Sequence, residues 1–304
     1  MIVVVCPGQG SQTPGFLEPW LPFIGSELRE LSDAAGIDLV AHGVSSDADT
    51  IRDTAVAQPL LVAAGILTLN LLLADGRRAA VGGIAGHSVG EITAAAGAGI
   101  LTAPDALRFV RERGLAMQSA AALEETGMSA VLGWDEADLL PRLAELSLEA
   151  ANFNGGGQVV AAGATGALAE LAATPPARAR VIPLNVAGAF HTRYMRPAAD
   201  RLHAAAAQLA VTDPTLPIWT NSDGSLISDG TRFVDLLVGQ VSSSVRWDRC
   251  MESFAAGEVT GIIEVAPAGA LVGLAKRALR GVPSVAVKTP DDLPAAFALI
   301  DQHS

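Results

Sequence analysis

The segment Val81-Gly82-Gly83-Ile84-Ala85-Gly86-His87-Ser88-Val89-Gly90-Glu91 decides the fold. An apolar run from Ala79 to Ala85 predicts a strand, and Glu91 to Gly97 predicts a helix. The order strand, Gly-x-Ser-x-Gly, helix is that of a nucleophile elbow. A serine on so sharp a turn needs a strained backbone, and neighbours without a Cβ let the chain close around it. Its hydroxyl then stands above the sheet at the positive end of the following helix, where an attacked carbonyl oxygen can be stabilised. A plain glycine-rich turn has the same composition; the strand before it and the helix after it separate the two readings.

Outward from the elbow, the chain alternates strands and helices. Ile2 to Cys6 is a β-branched run that ends in the donor-rich loop Pro7-Gly8-Gln9-Gly10-Ser11-Gln12. A Leu- and Ala-rich helical region is expected from Ala55 to Asp75, within which Leu60 to Leu73 reads as a buried helix with Pro59 in its first turn, and another helix from Pro104 to Ala122. The most apolar stretch, Leu60 to Leu73, is interrupted by Thr68 and Asn70 and is too short to span a bilayer.

From Met128 to Leu184 the texture changes. Strands at Ser129–Gly133, Leu148–Phe153, Gln158–Ala162 and Ala179–Leu184 alternate with helices at Asp135–Leu146 and Thr165–Ala172. This β-α-β-β-α-β order predicts an inserted ferredoxin-like module of about 60 residues. Asn152 to Gly157 is expected to be the turn between its middle strands, and Ala173 to Arg180 an exposed loop.

Beyond it, helices are expected at Arg193–Leu209, Thr231–Val241, Arg246–Ala256 and Leu271–Leu279, with strands at Pro217–Thr220 and Thr260–Val265. The fold class is therefore α/β: a hydrolase-like core with a parallel sheet and a nucleophile elbow, plus an inserted ferredoxin-like subdomain. The larger part takes residues 1–126 and 187–304, the smaller 127–186.

Composition agrees with such an enzyme. Of the 304 residues half are apolar, and aromatics are few. The net charge of −12, with no basic face, argues against nucleic acid as a partner. The chain opens directly on a strand, without a basic region or a small-residue cleavage site, which predicts a cytoplasmic protein with no membrane segment. Cys6 and Cys250 are far apart and lack metal-ligand spacing, so no metal is expected, and Cys6 reads as a buried free thiol.

Ser88 needs a base. Of the five histidines, His303 is in the tail, His42 in a polar loop and His203 in an alanine-rich surface helix. His87 is adjacent to Ser88 and points elsewhere at a tight elbow, so it is expected to pack or hydrogen-bond beneath the turn. That leaves His191, between a strand and a helix, whose alternative reading is a capping or packed histidine. Arg113 falls beside the apolar stripe Leu107, Val110, Gly114 and Met117. Two readings stay open for it: a side chain snorkelling to water, or a guanidinium gripping a carboxylate through two parallel hydrogen bonds.

Taken together, Pro7–Gln12, Gly86–Glu91, Arg113-Gly114-Leu115-Ala116-Met117 and Gly188-Ala189-Phe190-His191 resemble the malonyl-CoA:acyl carrier protein transacylases of bacterial fatty acid synthesis, most closely the discrete actinobacterial enzymes. Gln240 ahead of Val245-Arg246-Trp247, and Glu264-Val265-Ala266-Pro267, extend the resemblance over nearly the whole chain. It implies Ser88 as the acylated nucleophile and His191 as its base and acid. The amides of Gln9 and Val89 would form the oxyanion hole, Arg113 would hold the malonate carboxylate, and the main-chain carbonyl of Gln240 would orient His191. Phe190 would fill the space a 2-methyl branch needs, since Ala-Phe-His accompanies malonyl in related polyketide acyltransferase domains. The substrates implied are malonyl-CoA and the phosphopantetheine of an acyl carrier protein, with no permanently bound cofactor, in a monomer serving fatty acid or polyketide synthesis.

Carrier proteins of this kind are acidic, as this chain is, so docking needs a local basic patch within a Debye length of about 8 Å. Arg193, Arg196 and Arg201, together with Lys276, Arg277 and Arg280, are the candidates. Three competing readings share the motifs: an acyltransferase for another carrier (polyketide synthesis or a malonate decarboxylase), a serine esterase or thioesterase, and a silent scaffold.

Overall fold

In the computed structural model, which describes residues 1–302, the ten strands in chain order are β1 (Ile2–Cys6), β2 (Val81–Gly86), β3 (Thr126–Leu132), β4 (Glu149–Gly155), β5 (Gln158–Ala164), β6 (Arg180–Leu184), β7 (Ile218–Trp219), β8 (Leu226–Ile227), β9 (Gly261–Glu264) and β10 (Ser284–Ala286). Six of them form one sheet in the order β10-β9-β1-β2-β7-β8, in which only the β7–β8 pair is antiparallel. Strand β1 lies at its centre and is buried over all five residues, as a strand covered on both faces must be. Successive side chains leave opposite faces of the sheet. Ile2, Val4 and Cys6 therefore enter one core, while Val3 and Val5 enter a second with Trp247 and Phe254. Cys6 and Cys250 are both buried free thiols, and burial pushes each upward in pKa.

Helix Thr54–Leu73 is apolar on nearly every side and lies inside the first core. It starts six residues before the apolar stretch read from sequence. It is long and apolar enough to cross a membrane, yet most of it is packed within the protein. Asp53 caps it by accepting from the Ala55 amide at 2.8 Å, and this places Pro59 in the second turn rather than the first. Residues 21–44 add helices Leu21–Ala35 and Leu39–Val44, and the chain later adds Leu293–Asp301, all unassigned by the sequence reading. His42 thus sits in a helix and not in a polar loop, with Nδ1 3.0 Å from Ser46 Oγ. His303 lies outside the described residues. The helix expected over Arg193–Leu209 begins instead as a 3-10 turn, Arg193–Ala198, before helix Ala199–Ala206; Pro197, lacking an N–H, stands at the junction.

The other four strands form an antiparallel sheet in the order β4-β5-β3-β6, the ferredoxin-like arrangement. Its outer face packs Val131, Val159 and Ala161 against Leu139, Leu143, Leu168 and Leu171. Its inner face sends Met128, Val160 and Ala162 into the main core. One expectation fails here. Asn152–Gly155 is not a turn but the end of β4, and the reversal uses Gly156 and Gly157, both at positive φ. The reason is a seam with the larger sheet's side of the molecule. Phe153 N–H donates to Val245 O and Val245 N–H to Ala151 O, each at 2.9 Å, so the strand is tied down along one edge.

Candidate active site

Strand β2 ends at Gly86, Ser88 takes φ +53°, and helix Gly90–Ala98 begins two residues later. Positive φ is rare for a side chain with a Cβ. The flanking glycines show why the turn can form at all. A Cβ on Gly86 would stand 2.0 Å from Gly90 C, and one on Gly90 would stand 2.2 Å from Cys6 O. Any side chain at either position would open the elbow.

The serine hydroxyl lies 2.7 Å from His191 Nε2. The opposite ring nitrogen, Nδ1, lies 2.9 Å from the main-chain oxygen of Gln240, the last residue of helix Gly230–Gln240. A helix C-terminus leaves its final carbonyls without intrahelical partners. That carbonyl can only accept, so Nδ1 carries the proton and the Nε2 lone pair faces Ser88. His191 is itself at φ +62°, and its amide donates to Val241 O at 3.0 Å. Burial, followed by the charge of Arg113, pushes its pKa down to about 3, so the ring is neutral at physiological pH.

Arg113 is 1% exposed, which excludes snorkelling. Its Nη1 donates to Gln58 Oε1 and its Nη2 to Gln240 Oε1, both at 2.8 Å, and Nη2 stands 3.4 Å from Ser88 Oγ. Burial lowers its pKa and raises that of Glu91, while the opposite charge of each works against the other's shift.

A cavity of about 500 Å³ opens above the serine. Gln9, His191 and Phe190 line it from the larger part, Met128 and Val160 from the smaller, and Leu274 from helix Ala270–Ala278. Arg113 does not line it; it stands one side chain behind a floor that includes Gln58 and Ser88. Among the described residues, the amides of Gln9 and Val89 donate to no protein acceptor, and Val89 is the N-cap of the elbow helix. His87 also lines the cavity, rather than packing beneath the turn, with Nε2 2.9 Å from Asn154 Oδ1 and its ring edge-on to Trp247 at 5.7 Å. Burial lowers its pKa.

The six basic residues named from sequence do not converge. Arg193 pairs with Glu149 at the start of β4, and Arg201 pairs with Glu112 at 2.6 Å. Arg277 packs over Gly156, past the other end of β4, and lines the cavity. At 3.3 Å per residue the ends of that strand are about 20 Å apart. Lys276 and Arg280 are exposed beside Arg277, and Arg196 is exposed near Arg193.

Four residues escaped the sequence reading: Gln58, Glu91, Asn154 and Asn221. Gln58 had a visible signal, a buried amide near the start of an apolar helix. For the others nothing in the local pattern marks the burial that makes them consequential.

Comparison with known proteins agrees with this geometry. The family model described as the acyl transferase domain matches residues 3–290. The malonyl CoA-acyl carrier protein transacylase of Mycobacterium tuberculosis is 50% identical over 96% of this chain and 98% of its own. A crystal structure of MCAT from the same organism superposes with a TM-score of 0.95 at 48% identity, covering 98% of this chain and 99% of that one. A type II PKS acyl-carrier protein in complex with its malonyl-transacylase contains a similar chain, with a TM-score of 0.92, 30% identity and coverage of 98% and 99%. An elbow serine hydrogen-bonded to a neutral histidine, on this fold and with this likeness, places the chain in the family of malonyl-CoA–acyl carrier protein transacylases.

Proposed function

We propose that this enzyme moves malonyl groups from malonyl-CoA to the phosphopantetheine thiol of an acyl carrier protein, through an ester on Ser88. The observation that carries the reading is the 2.7 Å contact between Ser88 Oγ and His191 Nε2, with the buried Arg113 guanidinium 3.4 Å from the same oxygen.

The steps follow from the geometry. Ser88 Oγ attacks the thioester carbonyl while His191 Nε2 takes its proton, and the Gln240 carbonyl steadies the imidazolium through Nδ1–H. The amides of Gln9 and Val89 receive the tetrahedral oxyanion, each contributing a few kcal/mol, on the order of 3. Collapse expels the CoA thiolate, which takes the proton from His191. The carrier thiol then enters, gives its proton to His191 and receives the malonyl group, and the proton returns to Ser88. Arg113 takes the free carboxylate along its Nη2 edge, and Phe190, 6% exposed in the cavity wall, stands where a 2-methyl branch would go.

Docking of the acidic carrier is assigned to Lys276, Arg277 and Arg280 beside the cavity, since Arg193 and Arg201 are already paired with carboxylates. Arg196, near Arg193, stands apart from that group. Two units are proposed, 127–186 and the remainder, supported by their separate sheets and the third core cluster. The enzyme is read as a monomer working in the cytoplasm. Mass spectrometry after mixing with malonyl-CoA tests the reading. A malonyl adduct mapping to Ser88, discharged by holo carrier protein faster than by water, is expected. An unmodified Ser88, or discharge by water alone at the same rate, overturns it.

A further inference from the structure

Glu91 and Glu264 are the two acidic side chains that are at most 1% exposed among the described residues, and they are used differently. Glu264 accepts from the amides of Gly269, Leu271 and Val272 and so caps helix Ala270–Ala278. Glu91 stands in the first turn of the elbow helix but does not cap it. Its Oε1 accepts from the Asn221 amide at 2.5 Å, and its Oε2 accepts from Gln240 Nε2.

Those two partners govern the whole site. Asn221 spans the elbow: Oδ1 accepts from the Ser88 amide at 2.8 Å, and Nδ2 donates to Gly86 O at 2.7 Å. It therefore holds the N-terminal side of the residue at φ +53°, and Gln240 Nε2 donates to Ser88 O at 3.2 Å on the other side. Gln240 orients His191 through its main-chain oxygen and accepts from Arg113 through Oε1. A guanidinium has only donors, so the amide oxygen of Gln240 must face it and the NH2 must face Glu91.

The geometry points to Glu91 as a positioning residue that locks the serine elbow through Asn221 and the histidine–arginine pair through Gln240. This rests on the transacylase reading and deepens it. Position 91 must present two acceptors at once. A glutamine there has a single acceptor oxygen, so it leaves either the Asn221 amide or the Gln240 NH2 facing another donor. An aspartate keeps both acceptors on a shorter stem and reaches one partner at most.

The test compares Glu91→Gln, Glu91→Asp and Asn221→Ala with the wild type in the intact enzyme, each checked for folding by circular dichroism and thermal melting. Two rates are read: malonyl transfer to carrier protein, and labelling of Ser88 by a small neutral organophosphate, which needs the serine and histidine but no carboxylate clamp. Glu91→Gln is expected to lose about 10- to 100-fold in both, mainly in kcat, with Glu91→Asp between it and the wild type. Asn221→Ala is expected to slow labelling while keeping the preference for malonyl over acetyl. Labelling at the wild-type rate in folded Glu91→Gln overturns the proposal, and so does a loss confined to malonyl transfer. Should Glu91→Gln not fold, unchanged labelling in Asn221→Ala overturns it. A wild type that forms no Ser88 adduct condemns the transacylase reading instead, so the two failures are distinguishable.

Discussion

Replacing Arg113 by alanine isolates the reason for malonyl selectivity. A guanidinium has five N–H donors. Two are committed to Gln58 Oε1 and Gln240 Oε1, and a third leans on Ser88 Oγ at 3.4 Å, too long for a strong bond. A carboxylate carried on Ser88 would take that weakly used Nη2 edge. Each hydrogen bond between charged partners is worth about 1.5–3 kcal/mol, so one or two of them correspond to about 10- to 10⁴-fold in kcat/KM. Acetyl has nothing to place there, and its transfer should change by less than about tenfold, the cost of loosening Gln240 alone. The substitution also removes the buried opposite charge that acts on Glu91 across Gln240, so melting must be followed beside activity. The assay is transfer of malonyl and acetyl from their CoA thioesters to one carrier protein, with kcat/KM compared in wild type and variant. Equal loss on both substrates refutes the carboxylate clamp and leaves Arg113 a structural cation.

Three other outcomes follow from the same geometry. Because His191 is held down to about 3, its base form persists as pH falls through the ordinary histidine range, so kcat/KM should keep its plateau well below pH 6; an acid limb near 6.5 in the free enzyme contradicts this. Phe190→Ser opens the cavity wall and should raise methylmalonyl transfer relative to malonyl, by about tenfold for a contact of this size; an unchanged ratio of specificity constants removes Phe190 as the gate. Charge reversal at Lys276 and Arg280, which leaves the cavity-lining Arg277 in place, should raise KM for the carrier protein several-fold and spare that for malonyl-CoA. An equal rise in both removes the docking patch.

Much of this was legible because it is written in local pattern. The elbow, the buried β1 and the ferredoxin-like order all follow from apolar runs punctuated by glycine, and the observed boundaries fall mostly within a few residues of those read. Misreadings arose where tertiary contact overrode composition. Asn152–Gly155 has the composition of a turn, yet it extends β4 because Val245 pairs with it and Asn154 reaches His87. Pro59 sits in a second turn because Asp53, a better cap than anything nearer, sets the start of the helix. The basic residues were grouped from two separate stretches of sequence, but Arg193 and Arg277 pack against opposite ends of β4. Glu91 was invisible for a deeper reason: a carboxylate in a first turn normally faces water and favours the dipole, and only the packing of two distant segments turns it inward.

The electrostatics of the pocket add a kinetic component to selectivity. Arg113 is among the causes that depress His191, since an imidazolium would stand beside a buried positive charge. An incoming malonyl carboxylate offsets that charge where Glu91, one amide away, offsets it only in part. His191 should therefore become more basic when malonyl occupies the site than when acetyl does, and a stronger base takes the serine proton more readily. The sign is testable within one enzyme: the acid limb of kcat, which reports the occupied site, should lie at higher pH than that of kcat/KM, which reports the empty one. With acetyl-CoA the two limbs should coincide. On this argument the substrate's own charge completes the base that attacks it, and water reaching an empty site meets a weakly basic histidine.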